Sequence, residues 1–220
     1  MKVTFQDVKN SPEIRTYITQ ADASLLAIGY TEHSFAHVGK CAEVAANILT
    51  QLGYSPREVE LARIAAFMHD IGNVVNRSDH AISGATMAFR ILDKMGMEPS
   101  DVAAVITAIG HHDDSTAFPV NAIAAALILA DKTDVRRSRV RNADVTNFDI
   151  HDRVNYAVER SEVLLDVSGG TVTLSLSINT QVCAVMDYFE IFLQRMLLCR
   201  KAAEFFRLQF HLEINGQILL

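Results

Sequence analysis

A mostly α-helical protein with a small α+β extension at its C-terminal end is what this sequence of 220 residues predicts, and three observations carry the prediction. Between about residue 10 and about residue 160, apolar residues recur at helical spacing and the breaks fall at capping residues. The run Ala122–Ala130 is apolar on every side, as the buried central helix of a bundle must be. After about residue 160 the apolar period shortens to two, the mark of strands.

The first clear helix is His37–Leu52, with Val38, Cys41, Ala45, Ile48 and Leu49 at helical spacing and Gly53 where a left-handed C-terminal cap belongs. Ser55-Pro56-Arg57-Glu58 starts the next one. Ser55 accepts from the Glu58 amide, Glu58 reaches back, and Pro56 stands at the first helical position, where its missing N–H costs nothing. That helix runs through Leu61, Ile64 and Met68 to His69, and Gly72 ends it. A third helix spans Ala81–Met95 and closes at Gly96, a fourth spans Pro99–Gly110, and the apolar fifth begins near Pro119. In the tail, Glu162–Val167 and Thr171–Ile178 read as two strands about a Ser168-Gly169-Gly170 turn. A long amphipathic helix over Thr180–Leu208 and a strand over Gln209–Asn215 follow, so the tail reads as a small antiparallel sheet with one helix packed on it. Two units result, a helical one over residues 10–150 and an α+β one over residues 160–220, joined softly at 142–160.

Twenty Lys and Arg against 26 Asp and Glu give a formal charge of −6. A broad nucleic-acid surface or a polybasic membrane surface is therefore excluded, and any basic site must be local. The longest apolar run falls well short of the roughly 20 residues of a membrane helix, and the start Met1-Lys2-Val3-Thr4-Phe5 lacks the form of a secretory signal, so a cytoplasmic protein is expected. Cys41, Cys183 and Cys199 are odd in number and far apart, which predicts small buried hydrophobes, and without a CxxC there is no thiolate zinc site.

The histidines cluster at element ends. His37, His69-Asp70, His80 and His111-His112 each lie at a helix end or in the loop beside one, and Asp131 ends the apolar fifth helix. Imidazole and carboxylate groups beside strongly apolar text are costly unless paired or coordinated, which makes these seven residues a candidate metal centre. In this order, with Met68-His69-Asp70-Ile71-Gly72 at the centre and Ala130-Asp131 at the end, they resemble the HD-domain metal-dependent phosphohydrolases of the two-metal branch, over roughly residues 30–140.

The resemblance implies a helical HD bundle and two divalent ions. One ion would take His37, His69, Asp70 and Asp131 and the other Asp70, His80, His111 and His112, with Asp70 bridging. Nitrogen-rich ligation mixed with carboxylate favours iron or manganese and also admits cobalt, nickel or zinc. The implied reaction is hydrolysis of a phosphomonoester or phosphodiester, of a nucleotide or another small phosphorylated molecule, by a hydroxide that bridges the ions and that Asp70 positions. His33 stands one helical turn before His37 and is read as supporting that ligand; Asp113 and Asp134 are candidates for the same role around the paired histidines and Asp131.

Lys132 to Arg141 carries five cations in ten residues. On a continuing helix Lys132, Arg136 and Arg139 share a face, and Lys132 and Arg136 are the candidate substrate clamp. The loop after His112, Asp113-Asp114-Ser115-Thr116-Ala117-Phe118-Pro119, lacks the glycine-rich Gly-Tyr-Pro text of the cyclic-dinucleotide-cleaving HD-GYP group, and Asn73 replaces that group's lysine, so the resemblance stops short of it. Two other classes stay open: a di-iron oxygenase of the HD type acting on a small organic molecule, and a non-catalytic HD-type binding module. His151 and His211 have no partner at motif spacing and read as structural, and the apolar residues Val182, Val185, Met186, Phe189, Leu193, Met196 and Leu197 offer the tail a surface for homodimerisation or for its own sheet.

Overall fold

A computed structural model describes residues 2–219. Seven helices build the first part: α1 (Phe5–Asn10), α2 (Pro12–Ala27), α3 (Phe35–Gln51), α4 (Pro56–Met68), α5 (His80–Lys94), α6 (Pro99–Gly110) and α7 (Ala122–Lys132). A 3-10 turn, Ile71–Val74, follows α4 directly. The Ser55–Glu58 box forms as expected, the Glu58 amide donating to Ser55 at 3.3 Å and the Ser55 amide to Glu58 at 3.0 Å. Gly53 and Gly96 both take positive φ, +77° each, as left-handed caps do. Every side chain of α7 from Ile123 to Ala130 is buried, so this helix is the axis on which α3, α4 and α6 pack.

Gly72 does more than end a helix. It lies within the 3-10 turn, and a Cβ there would overlap the His80 carbonyl oxygen and stand 2.5 Å from the Gly84 amide nitrogen. Two backbones meet there, the turn after α4 and the start of α5, and only a residue without a side chain permits it.

The tail consists of α8 (Ile150–Ala157), β1 (Val158–Asp166), β2 (Thr171–Ile178), α9 (Val185–Phe205), β3 (Gln209–Ile214) and β4 (Gln217–Ile218). The strands form one sheet in chain order. β1–β2 and β3–β4 are antiparallel, but β2 and β3 run parallel, Thr171 opposite Gln209 and Leu176 opposite Ile214, which corrects the all-antiparallel expectation. The reason is the connection: α9 carries the chain back along the sheet, and a strand that follows such a crossover enters in the same direction.

Along β2 the buried residues alternate, Val172, Leu174, Leu176 and Ile178, and with Phe210, Leu212 and Ile214 of β3 they form the sheet's apolar face. The helix α9 meets it with Tyr188, Phe192, Met196, Cys199, Ala202 and Ala203. Of the face expected from spacing, Met196 is buried, whereas Met186 and Leu193 stay exposed. This second core also includes Ile48 of α3 and Ala125, Ile128 and Leu129 of α7, so the tail is docked on the bundle. Cys41, Cys183 and Cys199 are buried free thiols. Among the described residues, no helix is long and apolar enough to cross a membrane.

Candidate metal centre

Five helix ends converge at one end of the bundle. His37 lies in the first turn of α3, His69 caps α4 and Asp70 follows it, His80 opens α5, His111 caps α6 with His112 next, and Asp131 lies in the last turn of α7. Three of these, α4, α6 and α7, present their C-terminal carbonyl ends, the negative end of the helix dipole, to the site.

Asp70 stands at the centre with its two oxygens facing different histidines. Oδ2 is 3.2 Å from His69 Nε2 and 3.6 Å from His37 Nε2. Oδ1 is 3.6 Å from His80 Nε2 and 4.0 Å from His112 Nε2. Asp131 Oδ1 joins the first pair, 3.4 Å from His37 and 3.7 Å from His69.

The tautomers follow from the other ring nitrogens. His69 Nδ1 donates to the Ala66 carbonyl at 2.7 Å, His80 Nδ1 to Arg77 at 3.0 Å, His112 Nδ1 to Ile109 at 2.6 Å, and His37 Nδ1 to the Asp134 carboxylate at 2.8 Å. With Nδ1 committed to an acceptor, Nε2 is the nitrogen that each ring turns inward to offer a metal ion. These nitrogens face one another, His37 to His69 at 3.3 Å and His80 to His112 at 3.2 Å, while the buried Asp70 Oδ2 has no hydrogen-bond partner. Such an arrangement needs cations, and the donor groups His37/His69/Asp70 and Asp70/His80/His112 fit two of them.

The electrostatics agree. Burial disfavours charge on Asp70, but the surrounding imidazoles, His69 first, outweigh it and hold the carboxyl well below its usual range. Burial likewise opposes a charge on His69, yet Asp70 and Asp131 pull it up to about 10, a measure of how strongly this corner attracts positive charge. His112 goes the other way, down to about 3, through burial and its neighbours His69 and Lys132.

Six of the seven expected ligands meet here. His111 does not join them: its Nδ1 donates to the Thr107 carbonyl one turn back, and it belongs to no donor group among the described residues. At the end of α6 only His112 turns toward the centre, while His111 folds back on its own helix.

The supporting residues are sharply defined. Asp134 is fully buried and binds His37 on one oxygen, while Lys40 and Arg136 bind the other at 3.0 Å each. Burial opposes its charge, but the His37 hydrogen bond and the cations hold its carboxyl far below the usual range. Asn73 donates to Asp70 Oδ1 at 2.9 Å and fixes the carboxylate plane. Asp113 Oδ1 lies 3.7 Å from His80 Nδ1, and His33, bonded to the Thr31 carbonyl at 2.7 Å, packs edge-on against His37. An Asp134→Ala protein is expected to bind metal about 10- to 100-fold more weakly, measured by chelator competition, because His37 loses the group that fixes its tautomer and ring plane.

The basic segment departs from expectation. α7 stops at Lys132 and the chain is extended at Arg136, so the three cations do not share a helix face. Arg136 is committed to Asp134 and Glu32, the latter at 2.9 Å, and does not reach the cavity above the donors. Lys132 does line it, buried and paired with Asp131 Oδ2 at 2.6 Å and Asp114 Oδ1 at 2.8 Å. The cavity, about 300 Å³, also takes in Arg139 of the basic segment, His151 of α8, which spacing reads as merely structural, and three residues that spacing gave no reason to choose: Arg77, and Phe192 and Arg195 of α9.

Comparison with known proteins agrees with the geometry. Ribonuclease Y of Cutibacterium acnes is 35% identical over 89 residues, 39% of this chain and 15% of the relative. YueE of Bacillus subtilis, provisionally named a phosphohydrolase, is 30% identical over 127 residues, 52% of this chain and 64% of its own length. The uncharacterized protein MJ1020 of Methanocaldococcus jannaschii is 24% identical over 189 residues, 74% of this chain and 71% of its own. The chain thus spans less than two thirds of the two relatives whose names carry an activity. The model of the HD domain matches residues 34–190, well over half of the sequence and all six converging donors, and the chain belongs to the HD-domain family.

Proposed function

We propose that the protein is a metal-dependent phosphohydrolase that cleaves a phosphomonoester or phosphodiester of a nucleotide or another small phosphorylated molecule. The observation that carries this reading is the distribution of charge: a floor of lone pairs and carboxylates that calls for cations, under a cavity walled by Lys132, Arg139 and Arg195. An anion fits such a place, and about 300 Å³ is the lower end of the range for small-molecule sites. The names of YueE and ribonuclease Y also denote phosphoester cleavage.

Divalent ions held by His37, His69, Asp70 and Asp131 on one side and Asp70, His80 and His112 on the other would supply Lewis acidity and an activated water. The chain's own residues do the positioning. Asn73 holds the Asp70 plane, Asp134 holds His37, and Lys132 holds Asp131 by the oxygen that faces away from the histidines. Iron or manganese is the favoured metal for this ligation.

The test is metal analysis of anaerobically purified protein, followed by a screen of phosphomonoesters, phosphodiesters and cyclic dinucleotides. About two ions per chain and phosphoester cleavage are expected. Fewer ions under metal-replete conditions would sink the binuclear centre, and oxygen consumption without cleavage across the screen would replace hydrolysis by oxygenation.

A further inference from the structure

Helix α9 delivers one cation to the cavity. Arg195 lies in the wall beside Asp131 and Lys132, its side chain about a quarter exposed at 26%. Its Nε donates to Asp114 Oδ2 at 3.1 Å, and its guanidinium carbon lies 4.9 Å from the Phe192 ring centroid. One nitrogen and one ring thus fix the group in place, while among the described residues Nη1 and Nη2 have no hydrogen-bond acceptor. Asp114 gives its other oxygen to Lys132, so the two cations are tied together across one carboxylate.

The other cations near the donors are more heavily committed. Arg136 is held by Asp134 and Glu32, and Arg139 donates to the Glu32 and Asp134 carbonyls at 2.9 Å each. Arg77 bonds to Asn73 at 3.3 Å and stacks on Tyr30. A planar guanidinium with two free donors, set beside a buried ammonium, suits bidentate contact with phosphoryl oxygens.

We propose that Arg195, together with Lys132, binds the phosphoryl group of the substrate, an assignment that rests on the phosphohydrolase reading above. The match to the HD-domain model ends at residue 190, so this contact comes from the chain's own C-terminal part, which is docked on α7 through Tyr188, Phe192 and Met196. The tail then completes the site instead of merely flanking it.

Inorganic phosphate is the probe, titrated calorimetrically into manganese-loaded protein, with metal content measured on the same samples. Arg195→Gln should weaken phosphate binding about 10- to 100-fold, the loss of hydrogen bonds to a charged group, and leave metal content unchanged because Arg195 touches none of the donors. Arg195→Lys, which keeps the charge and loses the fork, should fall between the two. Arg200→Gln removes an exposed cation from the same helix, paired among the described residues only with Glu204, and should bind as the parent does. Parent-like binding by Arg195→Gln, or equal weakening by Arg200→Gln, would overturn the assignment and leave the hydrolase reading standing. Metal-loaded parent protein that takes up no phosphate would overturn both.

Discussion

An Asp70→Ala protein is expected to come off purification with neither metal ion and with phosphoester cleavage at background. The reason is the division of labour within one carboxylate: Oδ2 faces His37 and His69, Oδ1 faces His80 and His112, and both imidazole pairs lose their shared oxygen together. What is left is two pairs of imidazoles, of which His37 and His69 keep Asp131 beside their Nε2 atoms, while among the described residues His80 and His112 keep no carboxylate within ion-pair distance of theirs. The drop in affinity should exceed by far the roughly 10- to 100-fold that removal of a supporting group costs. Metal analysis decides it. Retention of one ion at full occupancy would mean that Asp70 serves a single site and that the two-ion description is wrong.

Gly72→Ala should be the most damaging glycine-to-alanine change among the described residues. The new Cβ would drive the turn that carries Asp70 away from the His80 carbonyl and the Gly84 amide, all of them backbone atoms that cannot rotate aside. A cost of about 3 kcal/mol or more is expected, at the upper end for overpacking. It should appear as a lowered urea midpoint and weaker metal binding, since His80 and Asp70 move apart. Gly39→Ala is the matched control. Gly39 sits within α3 with open space where the Cβ would go, so alanine should be neutral or stabilising by about 0.5–1 kcal/mol. Equal midpoints for the two variants would refute the close-approach argument.

The sequence made local things legible. Ser55 and Glu58 cap α4 because their partners are three residues apart, and α7 announces its burial by having no polar face. The six converging donors were readable because each marks a helix end, and helix ends can be placed from caps and glycines. Contacts decided by tertiary packing were not readable. Strict alternation in β2 tells which face is buried, but nothing in it says that β3 arrives parallel. Arg136 looked like a clamp only on the assumption that α7 continues, and neither glycine nor proline marks its end at Lys132. Of the pair His111-His112 both carry the same text, and only the turn at the end of α6 selects the second. Arg195 had no signal at all, because it lies more than 60 residues beyond Lys132 and meets it only through Asp114. One clue was available for Asp134: a carboxylate close after a ligand that ends a helix is well placed to orient a neighbouring imidazole.

The parallel pairing of β2 with β3 also bears on the order of assembly. Thr171 cannot find Gln209 until all of α9 has been made and laid across the sheet, and long-range parallel pairings of this kind form slowly because the loop must close before any contact rewards it. The helices that carry the histidines are contiguous in the chain and meet through much shorter loops. All six converging donors, from His37 to Asp131, therefore precede α9 in the chain, and the wall that carries Arg195 is the last part of the cavity to be synthesised.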